Sequence, residues 1–149
     1  MSTESALEAG LAGATTLTIL HEIVRLIDHD APRMDELGKQ AISRIASKAG
    51  MNVPHDDQAY LISTASELIS NGLFYSLVGE GGKENVWLKG AALGLTAGIG
   101  AVVLPDKVGL NGGASNRTTK TKLLTVGLYL VGGMIAALVS KKLQERNER

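Results

Sequence analysis

Apolar and charged residues are sharply segregated along the chain. The run Leu123 to Ser140, LLTVGLYLVGGMIAALVS, carries no charge, with Lys120 and Lys122 just outside one end and Lys141 and Lys142 outside the other. About 20 mostly apolar residues cross a ~30 Å hydrocarbon core, and lysines at the rims can extend their amines into the headgroups. The pattern predicts a membrane span over 123–141. Three weaker apolar stretches, 5–27, 58–78 and 85–104, are expected to span as well. Between the first two, 34–49 places Met34, Leu37, Ala41, Ile45 and Ala49 on one face of a helix whose other positions are polar. That segment is too polar to span, and is expected to lie on the membrane surface or over the end of the bundle. The fold expected is all-α: a four-span transmembrane helical bundle with one amphipathic helix between spans one and two, making a single membrane domain over 1–149.

Punctuation between these stretches agrees with the division. Asp28, Asp30 and Pro32 end the first helix, and Gly50 follows the amphipathic one. Asp56 or Asp57 can cap the next, and Gly79, Gly81 and Gly82 form a turn before the third span. The segment 105–120, PDKVGLNGGASNRTTK, reads as a loop. Its Gly112, Gly113, Lys120 and Thr121 do not make a phosphate loop, because Thr119 stands where glycine is required and no strand precedes it.

Small residues say how the spans pack. Gly90, Gly94 and Gly98 recur every four residues and form a small-xxx-small groove, a glycine zipper, for close contact with a helix of this chain or of a second copy. A homo-oligomer through that groove is therefore one expectation. Gly10, Gly13 and Ala14 in the first span, and Gly127, Gly132 and Gly133 in the last, mark further close approaches.

Composition narrows the function without naming it. Fifteen basic residues balance 15 acidic ones, so there is no electrostatic case for nucleic acid. The absence of cysteine excludes disulfides, thiolate catalysis and Cys-ligated metal sites. Glu4 and Glu8 precede the first basic residue, Arg25, so the N-terminus lacks the basic start of a cleavable signal. A multi-pass protein of a bacterial plasma (inner) membrane is the simplest expectation. Nine Lys and Arg residues on the side of the 105–120 loop against six on the side of the termini, Lys83 and Arg149 among them, favour termini outside.

Candidate chemistry gathers in the polar exceptions to the apolar runs. Glu67 lies near the centre of the second span, where an ionisable group is costly and is by default a functional candidate. Thr64, Glu67, Asn71 and Tyr75 share one helix face at three- and four-residue spacing. His21, Glu22 and Arg25 end the first span, and Glu22 and Arg25 can pair at i,i+3. A metalloprotease pattern needs a second His four residues after the first, and Arg25 stands there, so no metal or cofactor is expected. Thr15, Thr16 and Thr18 are expected to bond to their own helix. The polar intramembrane cluster His21, Glu22, Arg25, Glu67, Asn71 and Tyr75 suggests a membrane component of binding, transport-related or regulatory type, with the lipid bilayer as partner and an unidentified small ligand or ion. Two rival readings are an intramembrane or interfacial enzyme using His21, Glu22 and Glu67, which requires those groups to converge, and a soluble helical bundle serving as an interaction module.

Overall fold

The computed structural model describes residues 2–80 and 84–147, which are helical and loop throughout. Gly81 and Gly82 of the expected turn, with Lys83 and Arg149 of the charge bias, lie outside the described residues. The helices are α1 (Thr3–Ile27), α2 (Met34–Lys48), α3 (Asp56–Ser76, continued by a 3₁₀ turn at Leu77–Gly79), α4 (Val86–Lys107), the single turn α5 (Gly113–Asn116) and α6 (Thr119–Arg146). Three of them, α1, α4 and α6, are long and apolar enough to cross a membrane. The second apolar stretch forms a helix of 21 residues, α3, that is not among the three; Glu67 and its serines, threonine and asparagine lower its apolar character.

The four long helices run up and down. Asn147, past the end of α6, reaches Ser5 at the start of α1, and Gly10 of α1 meets Gly72 and Ser76 of α3. Gly90 of α4 lies on Gly133 of α6, and Gly98 lies on Val126. The termini and the 3₁₀ turn therefore share one end, while α2, α5 and the 28–33 and 108–118 connections share the other. In cross-section α6 stands between α1 and α4, and α1 stands between α6 and α3; α3 and α4 barely touch.

Three glycine seams bring these helices together. A methyl on Gly13 would stand 2.5 Å from the Gly132 carbonyl oxygen, and one on Gly90 would stand 2.5 Å from that of Gly133. The adjacent residues Gly132 and Gly133 thus serve opposite neighbours of α6. The groove of Gly90, Gly94 and Gly98 is filled by α6 of the same chain. Gly127 has nothing around it and marks no approach.

α4 runs two residues past the expected break at Pro105. Proline lacks the N–H that would bond the carbonyl of Ala101, four residues earlier, so a helix through it leaves that acceptor free. Ser115 Oγ donates to the Ala101 oxygen at 2.7 Å, and Asn116 Nδ2 donates to that of Val102 at 3.1 Å. The one-turn helix in the loop thus completes the last turn of α4. At the other end of the loop, Thr118 caps α6 by accepting from the Thr121 N–H at 3.0 Å.

α2 is tied down over the bundle end. Gly38 sits against Ser63 of α3, and the Arg33 N–H donates to the Ala114 carbonyl at 2.7 Å. The Asn111 N–H donates to Gln40 at 2.9 Å, and Arg44 donates to the Gly109 carbonyl. Its apolar face is shorter than the sequence pattern: Leu37 and Ala46 are buried, whereas Ile45 and Ala49 are exposed. α3 begins with His55 as its N-cap, and Asp56 and Asp57 occupy the first turn, where their charge favours the helix dipole.

Small residues, Gly10, Gly13, Ala14, Gly132, Ala136 and Ala137, make up much of the interior around Leu17, Tyr75, Val78, Leu128 and Tyr129, while Leu26, Ile27, Leu61, Ile69, Leu88 and Ile99 face outward.

Candidate functional site

The chemistry lies where α1, α3 and α6 meet below the N-terminus of α2. Thr18, His21, Glu22 and Arg25 follow one another at three, four and seven residues and share a face of α1. Tyr60, Thr64 and Glu67 do the same on α3. The two faces enclose a small polar pocket of about 20 Å³, closed above by Pro32, Met34 and Asp35. His21, Glu22, Arg25 and Glu67 are thus brought around one cavity.

Each charge at the mouth has a partner. Arg25 Nη2 donates to Glu22 Oε2 at 2.5 Å. Arg33 makes a fork to both Asp35 oxygens at 3.1 and 3.2 Å and also reaches Glu36; Lys39 joins Glu36 to Asp56 of α3. Burial opposes ionisation of Asp35, but the Arg33 fork prevails and holds its carboxyl below the usual range. Past the end of α1, Lys120 of α6 is tied to Asp28 at 2.7 Å. Glu67 alone among the carboxylates of the pocket has no cation partner among the described residues.

Deeper in the bundle, the His21 ring stands edge-on to Tyr129 of α6, centroids 5.5 Å apart. Asn71 of α3 lines the same cavities as Tyr129. Tyr75, expected on the same polar stripe, turns away from the pocket: it is fully buried, and its hydroxyl donates to the Tyr129 carbonyl at 2.8 Å. Thr16 bonds to its own helix at 2.8 Å as expected, but Thr18 does not.

A second, larger space opens beside the pocket because α3 and α4 diverge. It has two apolar lobes, of about 540 Å³ between α3 and α4 and about 460 Å³ between α2 and α3. Met34, Ser70, Asn71, Leu110 and Tyr129 belong to both lobes. Glu67 lines the second lobe and the polar pocket alike, and Met34 borders all three spaces.

Tyr129, Tyr60 and Met34 are the site residues that the sequence pattern did not single out. Tyr60 extends the Thr64, Glu67, Asn71 stripe by four residues, which was a readable signal. A tyrosine deep in an apolar run, away from the interfacial belt where tyrosines concentrate, was another. Met34 was readable only as part of the apolar face of α2, and its place at the cavities depends on the turn at Pro32.

Among the described residues, no three of His, Asp and Glu gather as metal ligands, and no hydrogen bond joins His21 to Glu67. The arrangement offers a carboxylate free of ion pairing, reached from one side through polar groups and from the other through an apolar cleft. No protein-family model, no curated protein and no solved structure matches the chain.

Proposed function

We propose that the chain is a small integral membrane protein with four spans, and that it binds a small ligand at Glu67, which the ligand reaches from the lipid through the cleft between α3 and α4. The observation that carries this reading is the position of Glu67, shared by an enclosed polar pocket and an open apolar space. A concave, mostly apolar space of several hundred Å³ with a few convergent polar groups is the usual form of a small-molecule site.

Support for the membrane comes from the surface. Leu26 and Ile27 of α1 are 77% and 78% exposed, and large aliphatic side chains face outward on all four long helices. Apolar exposure on that scale in water marks an association surface; in lipid it is the expected exterior. α3 shares it through Leu61, Ile62, Ile69 and Leu73, and lies antiparallel along α1, so a bilayer that contains α1 contains α3. Its 21 residues extend about 31 Å, enough for the hydrocarbon core. Lys141 stands over the Trp87 ring at 6.0 Å, as a pair at a headgroup boundary would.

The spans are tested by topology. The chain has no cysteine, so Glu4→Cys and Glu145→Cys can be probed singly in intact cells with an impermeant maleimide. Four spans place both on one side after a carbonate wash has left the protein in the membrane. Opposite sides mean that α3 does not cross, and release by carbonate restores the soluble bundle.

The cleft is tested with a hydrophobic carbodiimide dissolved in the bilayer. It should label Glu67, Glu67→Gln should abolish the adduct, and Ser70→Phe, placed where the two lobes join, should slow labelling several-fold. A water-soluble carbodiimide that reacts faster than the hydrophobic one would refute access from the lipid.

A further inference from the structure

Three polar atoms of the enclosed pocket stand out: Thr18 Oγ1, His21 Nε2 and Arg25 Nε are buried and have no hydrogen-bond partner. Leaving such atoms unpaired forfeits their solvation without return, so three on one face of one helix call for an occupant. His21 is only 6% exposed, so solvent does not reach the ring directly.

Volume and charge identify what fits. The pocket has about 20 Å³, against the ~10–15 Å³ that one water requires together with two to four polar partners. An anion would face Glu22, Asp35 and Glu67, and a cation would face Arg25. A neutral molecule that both donates and accepts suits all three orphaned atoms: it accepts from the Arg25 N–H and gives its own hydrogens to acceptors around it.

The pocket also has a direction. Glu22 and Arg25 at its mouth keep 36% and 32% of their side chains exposed, under the N-terminus of α2. Toward the other end of the bundle the helices close backbone to backbone, Gly10 on Gly72 and Gly13 on Gly132, and Tyr75 fills the space beside Gly132. The titratable groups facing the pocket and Glu67 are His21, Glu22 and Arg25 from α1, Tyr60 from α3, Asp35 with its partner Arg33 at the start of α2, and Tyr129 from α6; α4 brings none to the cavities.

We propose that the pocket holds one internal water bridging Thr18, His21 and Arg25, and that Glu67 exchanges its proton through this water with the α2 face of the membrane and not with the opposite face. In each exchange the carboxyl releases a proton to the water as the water passes one toward the mouth, so the bridge is left unchanged. Glu67 then reports the pH of one compartment to whatever occupies the cleft. This inference rests on the intramembrane placement proposed above.

Two measurements test it. The chain has three histidines, and His29 and His55 are exposed, so His29→Gln with His55→Gln leaves His21 as the single imidazole. In lipid bilayers, water-edited magnetic resonance should transfer signal from water to the His21 ring early, and Thr18→Val should delay that transfer several-fold. A His21 build-up as slow as that of buried Tyr75 would mean a dry pocket and would overturn the water.

The second measurement uses the carbodiimide, which reacts with the neutral carboxyl, in vesicles of unequal inner and outer pH sorted by whether Asn52→Cys on the α2 side is reachable from outside. Labelling of Glu67 should rise when the α2 side is acidified and stay constant when the other side is. Labelling that follows the opposite side, or both, overturns one-sided exchange while leaving lipid access intact. No labelling at any pH defeats both the access route and the exchange, and the resonance experiment still decides the water.

Discussion

Single residues in this bundle divide into those that bring backbones together and those that hold a polar partner. Gly133 belongs to the first group: a methyl there would press on the Gly90 carbonyl and stand 3.0 Å from the Gly94 nitrogen. Gly133→Ala should therefore destabilise the protein by about 1–3 kcal/mol, the usual scale of overpacking, whereas Gly127→Ala, with open space around it, should be neutral or gain up to about 1 kcal/mol. Unfolding in mild detergent separates the two, and equal effects would contradict the seam. Tyr75→Phe removes only the bond to the Tyr129 carbonyl and should cost about 1 kcal/mol in the same assay. At this scale Glu67 was legible because a charge in an apolar helix is expensive wherever it points. Gly127 and Gly133 were indistinguishable, because a glycine records that an approach is tolerated and not that one occurs. The orphaned Thr18 was equally invisible, since its helix could have satisfied it as it does Thr16.

The elements show how much of a helix boundary is decided elsewhere in the chain. Pro105 reads as a stop, and the helix passes it because Ser115 supplies the donor that the proline lacks. Ser115→Ala should leave the Ala101 carbonyl unpaired at a cost of about 1 kcal/mol and speed amide exchange in the last turn of α4; unchanged exchange there would show that the loop does not support the turn. The tie between α6 and the end of α1 depends on pH. The Lys120 ammonium, with help from the Asp30 N–H, holds the Asp28 carboxyl below its ordinary value of 3.8. A carboxyl lowered in the folded state stabilises it fully above the unfolded value and loses that contribution as pH falls through the folded one. Stability should accordingly decline as the pH is lowered below about 4, and Asp28→Asn should flatten that decline; an identical acid profile in the variant would remove this pair as a cause. The amphipathic pattern of α2 was readable from spacing alone. Its outer half, Ile45 and Ala49, is exposed, and no local pattern distinguishes these positions from the buried Leu37.

At the scale of the whole molecule, helix count and small-residue grooves could be read from the sequence, while neighbour order could not. The grooves on α1, α4 and α6 show that each helix admits a close partner, yet only the fold shows that α6 takes two of them through consecutive glycines. The convergence of His21, Glu22, Arg25 and Glu67 follows from α1 and α3 running antiparallel under α2, a relation between segments more than 40 residues apart. Three seams and one divergence also give the molecule a mechanical anisotropy. Backbones locked at van der Waals distance leave α1, α6 and α4 as a stiff slab, with α3 seamed to one edge of it near the termini and splayed from α4 on the other side. In the bilayer proposed above, lateral pressure would fall on the compliant side, so a thicker or more tightly packed bilayer should narrow the splay and squeeze the cleft that leads toward Glu67, and bilayer tension would then act as an input to the site.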